Sequence, residues 1–150
     1  MLINIGNRTD IPAFFSTWFY NRIQEGSVCV RNPYVPQIIT RYRLNPDVVD
    51  ALIFTTKNPA PMLENLDLIS AYNQYWFVTI TAYGRDIEPG VPPVADVIGS
   101  FRELSRRLGQ KALVWRYDPV FLGRKPFFPD CRSGSKGYPP FRVPLSSAVS

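Results

Sequence analysis

At 150 residues and 45% apolar composition, the chain has enough material for one domain with a hydrophobic core. It contains no histidine, which excludes Ser-His-Asp and Cys-His nucleophile systems, histidine-ligated zinc and an imidazole base. The net charge of +5 sits at one end: residues 1–122 hold 12 Lys+Arg against 11 Asp+Glu, and residues 123–150 hold five basic residues against Asp130 alone.

Leu2–Gly6 reads as a short buried strand that runs into Arg8-Thr9-Asp10. Ile11, Phe14, Phe15, Trp18, Phe19, Arg22 and Ile23 then follow helical spacing and predict one continuous helix. Thr9 or Asp10 caps it, Pro12 lies in its first turn and Gly26 ends it. Ser27–Arg31 and Gln37–Arg43 flank Asn32-Pro33-Tyr34-Val35-Pro36 and predict a hairpin across the mouth of the fold. Asn45-Pro46-Asp47 opens a short helical turn before the strand Ala51–Phe54, which ends in Lys57-Asn58-Pro59.

Asn58 caps a second helix with Met62, Leu63, Leu66 and Ile69 on one face. The strand Tyr75–Thr81 leads into Tyr83-Gly84-Arg85. The loop Gly84–Pro93 is long for a strand-to-helix connection and reads as a flap. Val94, Val97, Ile98, Phe101, Leu104 and Leu108 give the clearest amphipathic helix, with Arg106 and Arg107 at its negative end and Gly109 as its stop. The strand Ala112–Trp115 ends in Arg116-Tyr117-Asp118-Pro119.

From Gly123 onward come five prolines, three glycines and five serines without helical or strand period. Such a segment buries too little apolar surface to offset its ordering entropy. Residues 123–150 are therefore expected to be a disordered or aberrant basic tail, and residues 1–122 the folded domain. The near-neutral body argues against nucleic-acid binding outside that tail. No apolar run reaches the ~18 residues of a membrane span, and no basic region precedes a signal-type apolar stretch. Cys29 and Cys131 match no zinc spacing, and Cys29 within an apolar strand reads as a buried small hydrophobe. The expected compartment is the cytoplasm.

Alternating strands and helices predict an α/β fold with a largely parallel sheet. Two architectures fit. One is the N-terminal half of a TIM-like (β/α) barrel, whose closed form needs eight strands. The other is an open, mostly parallel sheet of five strands. Both place functional side chains where strands end. The candidate anion- or substrate-binding set is Arg8, Thr9, Asp10, Arg31, Asn32, Lys57, Asn58, Tyr83, Arg116 and Asp118. Arg8, Arg31, Lys57 and Arg116 recur just past strand ends, and several cations in one mouth suit a small anionic ligand. The plainer reading makes Asp10, Asn58 and Asp118 helix caps and pairs the cations with Asp10 and Asp118. Tyr83 and Tyr117 line the pocket or pack. No glycine-rich dinucleotide or phosphate loop occurs.

Five strings occur in order: Asn7-Arg8-Thr9-Asp10-Ile11-Pro12-Ala13-Phe14, Val30-Arg31-Asn32-Pro33, Thr56-Lys57-Asn58-Pro59-Ala60-Pro61-Met62, Thr81-Ala82-Tyr83-Gly84 and Trp115-Arg116-Tyr117-Asp118-Pro119. Together they resemble a bacterial and archaeal family, domain of unknown function 1848. The resemblance implies (β/α) barrels longer than this chain. It also implies a terminal cysteine cluster similar to the iron–sulfur segment of radical S-adenosylmethionine proteins. This chain has two cysteines and no such cluster, so no cofactor is expected on it, and catalysis is not expected from it alone. The expectation is an anion-binding mouth from an enzyme family. The alternatives are a half-barrel that self-associates or joins a partner, and a nucleic-acid module acting through the basic tail.

Overall fold

Among the described residues six strands form close to the predicted runs and divide into two sheets: β1 (Leu2–Ile5), β2 (Ser27–Arg31), β3 (Ile39–Arg43), β4 (Ala51–Thr56), β5 (Gln74–Thr79) and β6 (Leu113–Arg116). The computed structural model describes residues 1–6 and 8–118, which belong to the compact unit Met1–Val120. The tail expected over 123–150, with Cys131, lies outside the described residues.

β1, β4, β5 and β6 form one parallel sheet in the order β1-β4-β5-β6, while β2 and β3 pair antiparallel as a separate hairpin. The chain is thus α/β with a mostly parallel sheet. Among the described residues the parallel sheet has four strands, one fewer than the five-stranded alternative, and the hairpin strands stay outside it. All five residues of β3 are exposed, with Arg41 and Arg43 on one face. A strand inside a parallel sheet is covered on both faces, which those guanidinium groups do not tolerate. The strand order does not reverse, so the described sheet has no topological switch point of the doubly wound kind.

The helices are α1 (Ile11–Phe14), α2 (Ser16–Gln24), α3 (Ala60–Leu63) and α4 (Val94–Leu108). The continuous helix expected over residues 11–23 breaks at Phe15, whose backbone leaves the helical region at φ −134°, ψ 27°. The break separates two tasks. Asp10 ties α1 to the end of β4, whereas α2 buries Phe19 and Tyr20. The second expected helix also shortens, to α3 and a 3-10 turn over Leu66–Ile69, because Asn65 departs from helical geometry. α4 forms as predicted, with Arg106 and Arg107 in its last turn and Gly109 at φ 85° as its cap.

The core lies between these helices and one face of the parallel sheet. Ile5, Leu52, Phe54, Trp76 and Val78 project to that side and meet Phe19, Tyr20, Met62, Ile69, Val97 and Leu104. Phe54 and Trp76, opposite each other in the register, stack at 4.0 Å and 17°, and Phe19 meets Phe54 edge-on at 5.6 Å. Each such pair contributes ~0.5–1.5 kcal/mol beyond its buried area. The polar atoms that Trp76, Gln74 and Tyr20 carry inward are satisfied. Trp76 Nε1 donates to Gln74 Oε1 at 3.2 Å, Gln74 Nε2 to the Ile69 carbonyl at 2.9 Å, and the Tyr20 hydroxyl to the Met62 carbonyl at 2.7 Å. Burial, aided by the charge of Asp67, holds the Tyr20 phenol well above its usual pKa. Among the described residues no helix is long and apolar enough to cross a membrane.

Candidate functional site

A parallel sheet gathers the carboxyl ends of its strands along one edge, and here four such ends carry polar residues. Register and alternation decide which side chains share a face. Thr79 lies opposite Arg116, and Lys57 follows Thr56, which lies opposite Val78. Lys57, Thr79 and Arg116 therefore fall on the sheet face turned away from the helices, the face that also holds Ile53, Tyr75, Phe77 and Val114.

Backbone geometry at β1 allows this edge to close up. Gly6 has φ +110°, and a Cβ on it would stand 2.7 Å from the Thr55 carbonyl oxygen. Only glycine lets the end of β1 pass so near β4 in that conformation. Just beyond it, Asp10 fastens the two strand ends together. One carboxylate oxygen accepts from Ala13 N at 3.0 Å, the other from Lys57 N at 2.8 Å. Asp10 thus caps a helix as the plainer reading expects, and it also holds the loop after β4.

The side chain of Lys57 points elsewhere. Its Nζ pairs with Glu88 Oε1, and the Thr81 hydroxyl donates to Glu88 Oε2. Glu88 is nearly covered, Lys57 half-covered and Thr81 buried. Burial by itself pushes the Glu88 carboxyl up. The hydrogen bonds from Lys57 and Thr81 and the charge of Lys57 outweigh it, so the group titrates below its ordinary range. Arg116 pairs with Asp118 at 3.0 Å, as the plainer reading anticipates for these two. Asn58 accepts from Ala60 N at 3.2 Å and holds the turn into α3, while its own N–H donates to Thr56 Oγ1 at 2.9 Å.

Tyr83 and Tyr117 stand with ring centroids 6.1 Å apart, tilted by 55°. Burial, then Tyr83 and the charge of Glu88, raise the Tyr117 phenol; a hydrogen bond from the Ala82 backbone offsets part of this. Arg8 and Thr9 are exposed beyond β1. Asp10, Lys57, Asn58, Tyr83, Arg116 and Asp118 thus belong to one edge, with Arg8 and Thr9 at its β1 end.

Arg31 and Asn32 belong to the hairpin. A groove between α2 and the hairpin is lined by Trp18, Arg22, Glu25, Ser27, Cys29 and Arg41. Asn32 serves the hairpin turn, its Oδ1 accepting from Tyr34 N at 2.8 Å and Val35 N at 3.2 Å. Among the described residues β2 pairs with β3 in a sheet of its own, so Arg31 and Asn32 do not stand at an end of the parallel sheet. Cys29, expected to be buried, is exposed, because its strand pairs only with β3.

Two residues of the edge escape sequence reasoning, Glu88 and Thr81. Glu88 lies in the loop read as a flap, and its position before Pro89 was the only available signal.

Clusters of the kind the resemblance implies are held by cysteine thiolates, ordinarily four. Two cysteines in the whole sequence do not supply that set. Among the described residues no group of three or more His, Cys, Asp or Glu side chains is placed to hold a metal ion.

The family model described as "Domain of unknown function (DUF1848)" matches residues 2–130, a stretch that includes all five strings and extends past residue 122. No curated protein and no solved structure matches the chain. With that much of its length matched, the chain belongs to the family of domain of unknown function 1848.

Proposed function

We propose that the described residues are the substrate-side strand–helix units of a (β/α) barrel, and that the strand-end edge binds a small anion. The unreversed order β1-β4-β5-β6 supports the barrel reading, since each strand of a (β/α) barrel lies beside the next. The observation that carries the ligand reading is the Lys57–Glu88–Thr81 group. A carboxylate from the loop after β5 sits on a cation and a hydroxyl that stand just past the ends of β4 and β5. In this reading Glu88 holds the place of the ligand's own carboxylate or phosphate, and binding exchanges one anion for the other. Arg8, exposed at the neighbouring strand end, adds attraction for an incoming anion. Binding is assigned to these residues; turnover in the family draws on groups outside these four strands.

The test is titration of the 150-residue chain with inorganic phosphate and sulfate, followed by amide chemical shifts. Shifts are expected at residues 8–10, 57–58 and 81–88. Lys57→Met should abolish them. Glu88→Gln, which leaves the hydroxyl and the ammonium without a competing charge, should strengthen binding about tenfold, equal to ~1.4 kcal/mol. Unchanged binding in both variants, or shifts confined to the hairpin, would overturn the reading.

A further inference from the structure

The near-neutral charge of residues 1–122 conceals a segregation. The hairpin, residues 27–43, holds Arg31, Arg41 and Arg43 and no Asp or Glu, whereas the rest of that stretch holds nine basic residues against eleven acidic. Register puts the three cations on one face: Arg43 lies opposite Ser27, Arg41 opposite Cys29 and Arg31 opposite Ile39. That face borders α2. Between them runs a groove in two adjoining stretches of about 370 and 510 Å³, which share Glu25, Ser27 and Arg41. Trp18, 46% exposed, lines the first stretch, and Arg43 lines the second. Two of the charges there are already paired, Arg22 with Glu25 at 2.5 Å and Arg43 with Asp47 at 3.3 Å. Arg41 donates to the neutral Ser27 Oγ at 3.0 Å, and among the described residues neither it nor Arg31 has an acidic partner.

We infer that this groove binds a single-stranded nucleic acid, with phosphates on the arginine row and a base on Trp18. Alternate strand positions stand ~7 Å apart, so Arg43, Arg41 and Arg31 form a row down the hairpin rather than a ring. A row meets successive charges of a chain, whereas one small anion needs cations that converge. Guanidinium groups suit the task because their forked donors match phosphate oxygens. The exposed indole beside the row offers a stacking surface, and every base has a face to lay on it. Stacking also selects unpaired strands, since a duplex keeps its base faces inside and shows only edges and phosphates. With Arg31 and Arg41 as the main phosphate contacts, binding is salt-dependent and tolerant of sequence. The groove lies on the hairpin, apart from the Lys57–Glu88–Thr81 group, and neither reading depends on the other.

Fluorescence anisotropy of labelled oligonucleotides with the full chain tests it, oligouridine in one arm and oligodeoxythymidine in the other, across a salt series. The logarithm of affinity should fall against the logarithm of salt with a slope of about −1.4 to −2, as for two to three phosphates on a single strand. The arm that binds more tightly names the sugar. Arg31→Gln and Arg41→Gln should each weaken binding about fivefold and flatten the slope by ~0.7. Trp18→Ala should weaken it about tenfold, and Trp18→Phe, which keeps a ring, much less. Lys111→Gln, the same loss of charge outside the groove, should leave affinity unchanged. Amide chemical shifts of the unmodified chain guard against a variant that misfolds: residues 18–22, 27–31 and 39–43 should move as oligonucleotide is added. Affinity that Arg31→Gln, Arg41→Gln and Trp18→Ala all leave intact overturns the inference. So do shifts confined to residues 119–150, where the remaining basic residues lie, and equal affinity for a duplex of the same length.

Discussion

β4 and β3 are built from similar material, short runs of β-branched and aromatic residues, yet four of the six residues of β4 are buried and all five of β3 are exposed. Partners make the difference. β4 has a parallel strand on each side and helices over one face. β3 has one neighbour, and its alternate positions Arg41 and Arg43 commit one face to water. Arg43 meets Asp47 at 3.3 Å and Arg41 meets Ser27 Oγ at 3.0 Å, contacts made in solvent that contribute little. Intrinsic strand propensity is the same currency in both places. What separates a core strand from a surface hairpin is whether apolar area leaves water.

The sharpest way to break this comparison is to remove one aromatic from each region. Trp76 is fully buried, stacks on Phe54 and spends its N–H on Gln74. Trp76→Ala should cost ~3–5 kcal/mol through lost transfer energy and the cavity left behind. Tyr42, 41% exposed on β3, should cost under ~1 kcal/mol as Tyr42→Ala. Urea unfolding of both variants gives the two numbers, and comparable losses would mean that the hairpin is part of the cooperative core.

A second substitution probes the backbone where the sheet's functional edge begins. Gly6→Ala puts a methyl group against the Thr55 carbonyl in a conformation that L residues rarely adopt. A loss of ~1–3 kcal/mol is expected in the same unfolding experiment. Gly26 at φ 68° has more room, its nearest contact being the flexible Asn45 side chain at 3.4 Å, so Gly26→Ala should cost less. Equal costs at the two glycines would show that close approach to β4 is not what Gly6 provides.

How much of this was legible in the chain follows the same division. α4 could be read from periodicity because one apolar stripe, a basic last turn and a glycine stop all agree over fifteen residues. The strands of the parallel sheet were legible for the same reason, and so was the gathering of their polar ends. Other features depend on tertiary neighbours. The break at Phe15 follows from Asp10 reaching the amide of Lys57, a partner 47 positions away. Glu88 was invisible as a site residue because only the fold of its loop brings it to Lys57, 31 positions distant, and to Thr81. Cys29 misled because an apolar strand predicts burial only if something covers it. Arg31, which ends a strand as Lys57 nearly does, shows that a cation after a strand marks a shared edge only when the strand is in the shared sheet.

Glu88 gives a third contrast, between charges at the strand-end edge and charges on the hairpin. A carboxyl held lower in the folded than in the unfolded chain contributes stability above the unfolded value, and that contribution is lost as pH falls through the folded value. For Glu88 the loss begins below the ordinary 4.5. Glu88→Gln should therefore lower stability at neutral pH and flatten the acid limb of stability below that point. Asp47→Asn, at the exposed Arg43 pair, should leave the limb unchanged. Melting temperatures across the acid range decide it, and parallel limbs for both variants would reject a special role for Glu88.

The smallest effect on stability belongs to Cys29, and for that reason it isolates exposure from energy. It pairs across the hairpin with Arg41 and lies open to solvent, so Cys29→Ser removes no packed core group and should change stability by less than ~0.5 kcal/mol. A buried thiol reacts with a thiol reagent only as fast as the protein opens, whereas an exposed one reacts from the native state. In a Cys131→Ser background, which leaves one thiol to follow, Cys29 should label at a rate that does not fall as stabilising sulfate is added. A rate that tracks global stability would mean the hairpin face is covered in solution, and the contrast between β3 and β4 would then be one of partner rather than of exposure.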